Sequence, residues 1–534
     1  MGRTKDKIWD HYEELKVDGN IRARCRKCSH EMVNNAERMR GHWKFCSKRA
    51  STFVSDEATQ PKQRCLTQTT LNVATTSASK QKEIDILIAK FIIGTNSPFL
   101  HAENQNFRRL VEGLRPGTKI PTRQLIAGPL LDEVFEEEKV KVEKLLKNQL
   151  GTLALDGWST RVMQPVVGVA VTVNGNTYLF DTLDTSGQPH TTEYLIDVFK
   201  SQVEKVEEDW GVSICSVVTD NASNMAGMRR LVKDPSALLH SYGCQAHHVN
   251  LLAKAIKDKL KNPIEKIVQV LKHLRNHHSE SALLREHRLS RPPVPVETRW
   301  NSLADSLQYF VDHWSTLVVV INSIMKPTDA IYRSMENVQL KRTASDLLCI
   351  FIPMSKALDR MQRDSCVVSE CFEIWWELRN KTPEQFIDET CERYKKAVND
   401  NPVILAANLI DHRYTGKNMD SEDTKSALDY FKEIDPDVVP HVMKFMSKLP
   451  PYKTEYFEPP YSLAEPTAWW RASLQLGFDK RLVEVALSLV SGTSSSGGLE
   501  RCFSTLGYTY GNLRTSMGVE KAGKLAFLYR QLNM

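Results

Sequence analysis

Apolar positions change their period along this chain. In EIDILIAKFII, NFRRLVEGL and LLDEVFEEEKVKVEKLLKNQL they recur at helical spacing, with Pro121 interrupting the pattern. Residues 81–150 therefore predict a small helical unit. The period then shortens. GTLALD reads as a strand, PVVGVAVTV as a continuous β-branched run, and NTYLFDTLD as its return across an Asn174-Gly175 turn. An amphipathic helix, TEYLIDVFKSQVEKVEEDW, precedes the strand VSICSVVTD. Three strands in a meander, a helix and a fourth strand predict an α/β domain whose mixed sheet is covered on both faces. From Asn301 to about Asp479 helical spacing returns without a repeat, and the closing segment reads as helix, loop, helix.

Composition adds an N-terminal module. Of the 534 residues, the first 80 carry 16 Lys+Arg against 9 Asp+Glu, or +7, and the other 454 carry 55 against 56, or −1. A basic head on a near-neutral body points to a polyanion, nucleic acid first, or to a solvated basic tail. Residues 50–80, rich in Thr, Ser, Ala and Gln, predict a flexible linker. The 11 cysteines show no disulfide framework, which favours a reducing compartment. No apolar run approaches the roughly 18 residues of a membrane helix. MGRTKDKIWD lacks a signal core, and Asp6 breaks the myristoylation pattern. A soluble intracellular protein is expected.

Three of those cysteines share one window. Cys25-x2-Cys28 is followed after thirteen residues by His42-x3-Cys46. Two thiolates on a tight turn and a His/Cys pair one helical turn apart can close a tetrahedral zinc shell, here replacing a core the segment is too short to build. His30 is a competing ligand, set too close to Cys28 for the usual arrangement. With Trp9, Tyr12, RARCRKC and MRGHWKFC the window resembles a BED-type zinc finger, which implies DNA binding mainly through phosphates. Arg38 and Arg40 lie just ahead of His42, where groove-facing residues would sit.

Two predicted strands each end on a carboxylate, Asp156 in LALDGWST and Asp220 in VVTDNASNM. Cutting a phosphodiester gathers negative charge on several oxygens, which two divalent ions about 3.5–4 Å apart can stabilise. Such ions need carboxylates converging from different elements. An Asp after a strand can equally cap a turn or helix, and TDNASN suits that role.

LALDGWST, VVTDNASNM, CQAHHVNLLAK, ETRWNS and SSSGGLERCFSTLG…LRTSM together, in this order, resemble hAT-superfamily DNA transposases from roughly residue 80 to the end. The resemblance implies a multidomain α/β chain: zinc finger 1–49, linker 50–80, helical DNA-binding and dimerisation unit 81–150, and an RNase H-like mixed-sheet core at 151–300 and 481–534. An all-α insertion at 301–480 interrupts that core, and a dimerisation region closes the chain. It implies Asp156, Asp220 and Glu500 as the catalytic triad holding Mg²⁺ or Mn²⁺. Leu499, Phe503 and Leu506 then mark the packed face of the helix that carries Glu500; a favourable helix-dipole contact is the other reading of that glutamate. Cys244 and His247 are implied as active-site support, with His248 a neighbour without a role. Trp300 would stack on a flipped base and Arg299 pair with phosphate.

Thr122 and His412 depart from the usual Ser and Pro of the family without touching the chemistry. Gly497-Gly498 is expected to loosen the approach to Glu500. The Trp375-Trp376 and Trp469-Trp470 pairs read as packing. The function implied is cut-and-paste transposition in the nucleus by at least a homodimer, acting on the element's terminal inverted repeats and on target DNA. The alternative is a domesticated, catalytically silent DNA-binding transcriptional regulator.

Overall fold

The computed structural model describes residues 6–17, 20–50, 76–160, 163–296, 301–511 and 517–534. The chain divides into two units, Met1–Val73 and Ala74–Met534. The first holds an antiparallel sheet of β1 (Tyr12–Val17), β2 (Asn20–Cys25) and β3 (Glu31–Val33), followed by helix α1 (Ala36–Ala50). Its core is Ile8, Tyr12, Ala23, Cys25 and Met39. The Tyr12 hydroxyl donates to the Met39 carbonyl at 2.9 Å, tying sheet to helix. So small a core cannot by itself offset the ordering of this segment.

The second unit opens with helices α2 (Ala78–Gly94), α3 (Gln105–Leu114), α4 (Arg123–Ala127) and α5 (Pro129–Leu146). Thr122 caps α4 by accepting from the Leu125 N–H at 3.3 Å. α3 buries none of its residues, and Leu110 and Leu114 are exposed.

Five strands follow: β4 (Leu150–Ser159), β5 (Pro165–Val173), β6 (Asn176–Asp184), β7 (Ser213–Thr219) and β8 (His240–Gly243), in the order β6-β5-β4-β7-β8. β4, β5 and β6 form the antiparallel meander, while β7 and β8 run parallel to β4. The β5–β6 turn has φ of 47° at Asn174 and 74° at Gly175, the left-handed pair that this dipeptide tolerates. Helix α6 (Thr192–Trp210) carries the chain from β6 to β7, α7 (Ser223–Val232) separates β7 from β8, and α8 (Gln245–Lys259) follows β8.

The fifth strand was not expected. His-Ser-Tyr-Gly has no apolar run; it is held instead by His240, which bonds Tyr430 at 2.9 Å and Ser488 at 2.8 Å from a fully buried position.

Alternation along the strands sends Leu153, Leu155, Val167, Val169 and Val217 to one face, against α5, α6 and the closing helix Val519–Gln531. Ala154, Ala170 and Val218 go to the other face, under α8, the helix Gly497–Tyr510 and the long helical run between them. That run begins before Asn301, with α8, Lys261–Asn276 and His278–Glu286. It shares one core with the sheet. Trp375 and Trp470 are fully buried in it, and His412 stacks on Trp469 at 4.6 Å. Among the described residues no helix is long and apolar enough to cross a membrane.

Candidate functional site

Asp156 and Asp220 meet because β4 and β7 are parallel and in register. Leu155 pairs with Thr219, so the next residue on each strand is its carboxylate. By the same alternation both fall on the face of Ala154 and Val218. β4 does not end at Asp156, as the sequence suggested. It continues to Ser159 paired with β5 alone, because β7 stops at Thr219 and turns toward α7. Asp156 thus sits where the sheet splits. One Asp220 oxygen accepts from the Ala222 N–H at 3.2 Å, so the turn-capping role open in the sequence is realised alongside this placement.

Glu500 arrives from the far end of the chain, and glycines permit it. Gly168 is the cross-strand partner of Asp156. A methyl there would collide with the Phe503 ring, whose Cζ lies at 2.8 Å, and with Leu499 at 3.1 Å. The helix Gly497–Tyr510 therefore descends directly onto the sheet beside Asp156. Leu499, Phe503 and Leu506 are its buried face, and Glu500 is half-buried next to them. Gly497-Gly498 does the opposite of loosening this approach. A Cβ on Gly498 would meet Thr177 and, at 2.8 Å, the Asp364 carboxylate. Asp364 in turn binds the Thr177 hydroxyl at 2.8 Å and the Arg501 guanidinium, which fixes the helix start.

Burial first, then the charges of Asp220 and Glu500, push the Asp156 carboxyl up to about 8, against the opposing Gly157 N–H. Burial pushes Glu500 up to about 7, opposed by Arg501. A buried carboxyl whose proton affinity is raised by two neighbouring acids suits a multivalent cation. The three acids are spread more widely than donor sets within 4.8 Å of one another, such as that of the N-terminal unit. A pair of ions about 3.5–4 Å apart calls for that wider arrangement.

Several neighbours were not assigned from the sequence. Arg229 donates to the Thr219 hydroxyl, to the Asp220 carbonyl and, at 3.3 Å, to Asn221. Burial draws its pKa down to about 10 against the pull of Asp220 and Cys244, so it stays charged at neutral pH. Asn221 also donates to the Cys244 carbonyl at 3.2 Å. Gly243 leaves Asn221 its space, since Asn221 Cγ lies 3.1 Å from where a Cβ would stand. Trp158 stacks on Phe503 at 5.9 Å and walls the cleft beside Asp156. An arginine nine residues after Asp220 carries no local signature, whereas Trp158 was visible in LALDGWST.

Cys244 is fully buried at the start of α8. Burial pushes its thiol up to about 11, with Ser496 lowering it and Glu500 raising it, so it is a neutral thiol. His247 is half-buried; burial lowers its pKa while Asp220 raises it, and Arg393 and Arg229 lower it further. His247 is thus in electrostatic reach of Asp220. His248 is more deeply buried, and burial pulls its pKa to about 3. Arg299 and Trp300 lie outside the described residues, as does most of LRTSM. A cleft of about 340 Å³ is lined by Lys254, Lys257, Val296, Asn301 and Phe351.

In the N-terminal unit the donor atoms of Cys25, Cys28, His42 and Cys46 all lie within 4.8 Å of one another. Cys28 Sγ is 3.2 Å from His42 Nε2. A tight turn with Ser29 at φ 59° presents the two thiols, closed by Ser29 N–H to the Cys25 carbonyl at 2.8 Å. Burial, then His30, lowers the His42 pKa, leaving the neutral imidazole a metal requires. His30 stacks on His42 at 5.1 Å and is not one of the four. Arg38 is exposed, and Arg40 pairs with Asp6 at 2.5 Å.

Residues 121–276 match the model of a domain of unknown function, DUF659, which is found in transposase-like proteins of the hAT family. The chain is also similar to a Talaromyces stipitatus protein named "Putative transcriptional regulator tpeD", at 25% identity over 237 residues. That match takes in 42% of this chain and 28% of the relative's length.

Proposed function

We propose that this chain is a cut-and-paste DNA transposase of the hAT type, built on an RNase H-like core with a BED-type zinc finger in front. The observation that carries the reading is the convergence of Asp156, Asp220 and Glu500 at the split between β4 and β7. A five-stranded mixed sheet with helices on both faces is the form expected of such a core. The DUF659 match supports the family.

Asp156, Asp220 and Glu500 are the residues that would hold Mg²⁺ or Mn²⁺. When bound, these ions supply Lewis acidity at the attacking and leaving oxygens. Arg229 and Asn221 fix the backbone on which Asp220 rides. Trp158 and Phe503 limit water to the open side of the cleft. His247 and the neutral Cys244 support the same wall. A water oxygen bonds to phosphorus at the element's end as the bridging oxygen leaves. The freed 3′-hydroxyl of the flanking strand attacks the phosphodiester of the opposite strand at the element's end, closing a hairpin on the flanking DNA and expelling the element's 3′-oxygen, which leaves as a hydroxyl. That 3′-hydroxyl then attacks a target phosphodiester and displaces a target 3′-oxygen. Trp300 stacks on the unpaired base and Arg299 holds phosphate. Cys25, Cys28, His42 and Cys46 hold zinc, and the finger grips the terminal repeats. Two ends must be held together, so the working form is at least a homodimer, in the nucleus.

The test is excision of a reporter flanked by the gene's own genomic borders, with wild-type protein and with Glu500→Gln. Precise excision by the wild type, lost at least 100-fold in the variant, supports the enzyme. Similarity to a protein named as a regulator favours a second reading, DNA binding without chemistry. Zinc-dependent binding to those borders without excision by either protein would establish that reading instead.

A further inference from the structure

A second group of metal-type side chains lies away from both sites above. The helix Lys261–Asn276 carries His273 in its last turn, and His277 follows one turn later, just before the helix His278–Glu286. Glu280 belongs to that second helix. His273 Nε2 stands 3.0 Å from Glu280 Oε1, and the two imidazoles stack at 3.8 Å. The three donor atoms all lie within 4.8 Å of one another.

His277 and Glu280 are oriented for ligation. His277 Nδ1 donates to the His273 carbonyl at 2.8 Å, which fixes its tautomer and leaves the Nε2 lone pair for a ligand. Glu280, only 6% exposed, receives the Ser279 hydroxyl on its other oxygen at 2.5 Å. Zinc bonds of about 2.0–2.1 Å in a tetrahedron set donors about 3.3 Å apart, so small side-chain rotations would close this set. A His273–Glu280 ion pair accounts for two of the residues. It does not account for His277, turned to the same point with its tautomer fixed.

We propose that His273, His277 and Glu280 form a binding site for a divalent transition metal of the zinc class, with a fourth position open to water. The site stands independently of the transposase reading. Its place suggests what it braces. Arg275, between the two histidines, donates to the Pro292 carbonyl at 2.8 Å, and its own carbonyl accepts from Arg291 at 3.2 Å. Metal here would fasten the root of the segment that leads to Arg299 and Trp300.

The experiment is zinc content per chain in the full-length protein after equilibration with buffered zinc. The expected wild-type value is two, one in the finger and one here. His277→Ala, whose ring is exposed, should fall to one, as should Glu280→Gln. Cys28→Ser should also fall to one, and that remaining zinc should disappear in the Cys28→Ser/His277→Ala double variant. Asp156→Asn should keep two. A wild type holding a single zinc overturns the proposal, as does a second zinc that survives His277→Ala or is lost in Asp156→Asn.

Discussion

Asp156 holds its proton far above the usual carboxylate range because burial and two nearby acids disfavour its charge. Its folded pKa of about 8 and that of Glu500, about 7, both exceed the unfolded values. Between about pH 4 and 8 the folded core therefore binds more protons than the unfolded chain, and its stability falls as pH rises through that window. With no divalent ion added, thermal unfolding should occur at progressively lower temperature from pH 5 to pH 8. Asp156→Asn should flatten the slope and at pH 8 exceed wild type by on the order of 2 kcal/mol. Millimolar Mg²⁺ should reverse the order, raising wild-type stability and leaving the variant nearly unchanged. A variant that is less stable than wild type at pH 8 without metal would mean that Asp156 is not under this strain. Calorimetric scans across pH, with and without Mg²⁺, read both effects.

The helix that brings in Glu500 rests on a floor of missing side chains. Gly168 admits Phe503 and Leu499, and Gly498 admits Thr177 and Asp364. Gly168→Ala should cost about 1–3 kcal/mol in urea unfolding, since the ring must move or the helix lift. It should also reduce excision, because lifting the helix withdraws Glu500. Gly157→Ala, eleven positions earlier on β4 with nothing within 4 Å of its Cβ, should change stability by less than about 0.5 kcal/mol. Equal costs at the two positions would remove the packing argument. These glycines also show where the sequence was readable. The alternating and continuous apolar runs disclosed β4 to β7 and α6, because each buries a face that only one period can bury. Asp156 and Asp220 could be picked out as strand-borne acids, but their pairing needed the β4–β7 register, a long-range fact. β8 was hidden because its four residues are held by His240 and Tyr242 bonding to distant elements. Gly497-Gly498 was misread as slack because a glycine pair looks the same whether its surroundings are empty or full. Arg229 was invisible because its partners, Thr219, Asp220 and Asn221 at the end of β7, are brought to it only by the fold.

Two units joined through the stretch around Val73 should respond separately to loss of metal. Among its described residues the first has five buried in its core, and a Cys₃His donor set gathers the turn after β2 against α1. Take away the ion and the remaining core is too small to hold that arrangement. The second unit has two extensive apolar clusters, one on each face of its sheet, and needs no such support. A strong chelator should therefore abolish the far-ultraviolet and near-ultraviolet signals of the finger and cut DNA affinity by at least tenfold. The main calorimetric transition of the second unit should move by only a few degrees, a shift that His277→Ala would remove if the second metal site contributes to it. Binding should also weaken steeply with salt in the zinc-loaded protein, since the basic charge sits in the first 80 residues and phosphate contacts release counterions. Cys28→Ser should reproduce the loss of affinity without chelator. If DNA affinity instead survives both the chelator and Cys28→Ser, the contact surface belongs to the second unit. Lys254 and Lys257, in the cleft that Val296 and Asn301 help to line, would then be the first residues to replace.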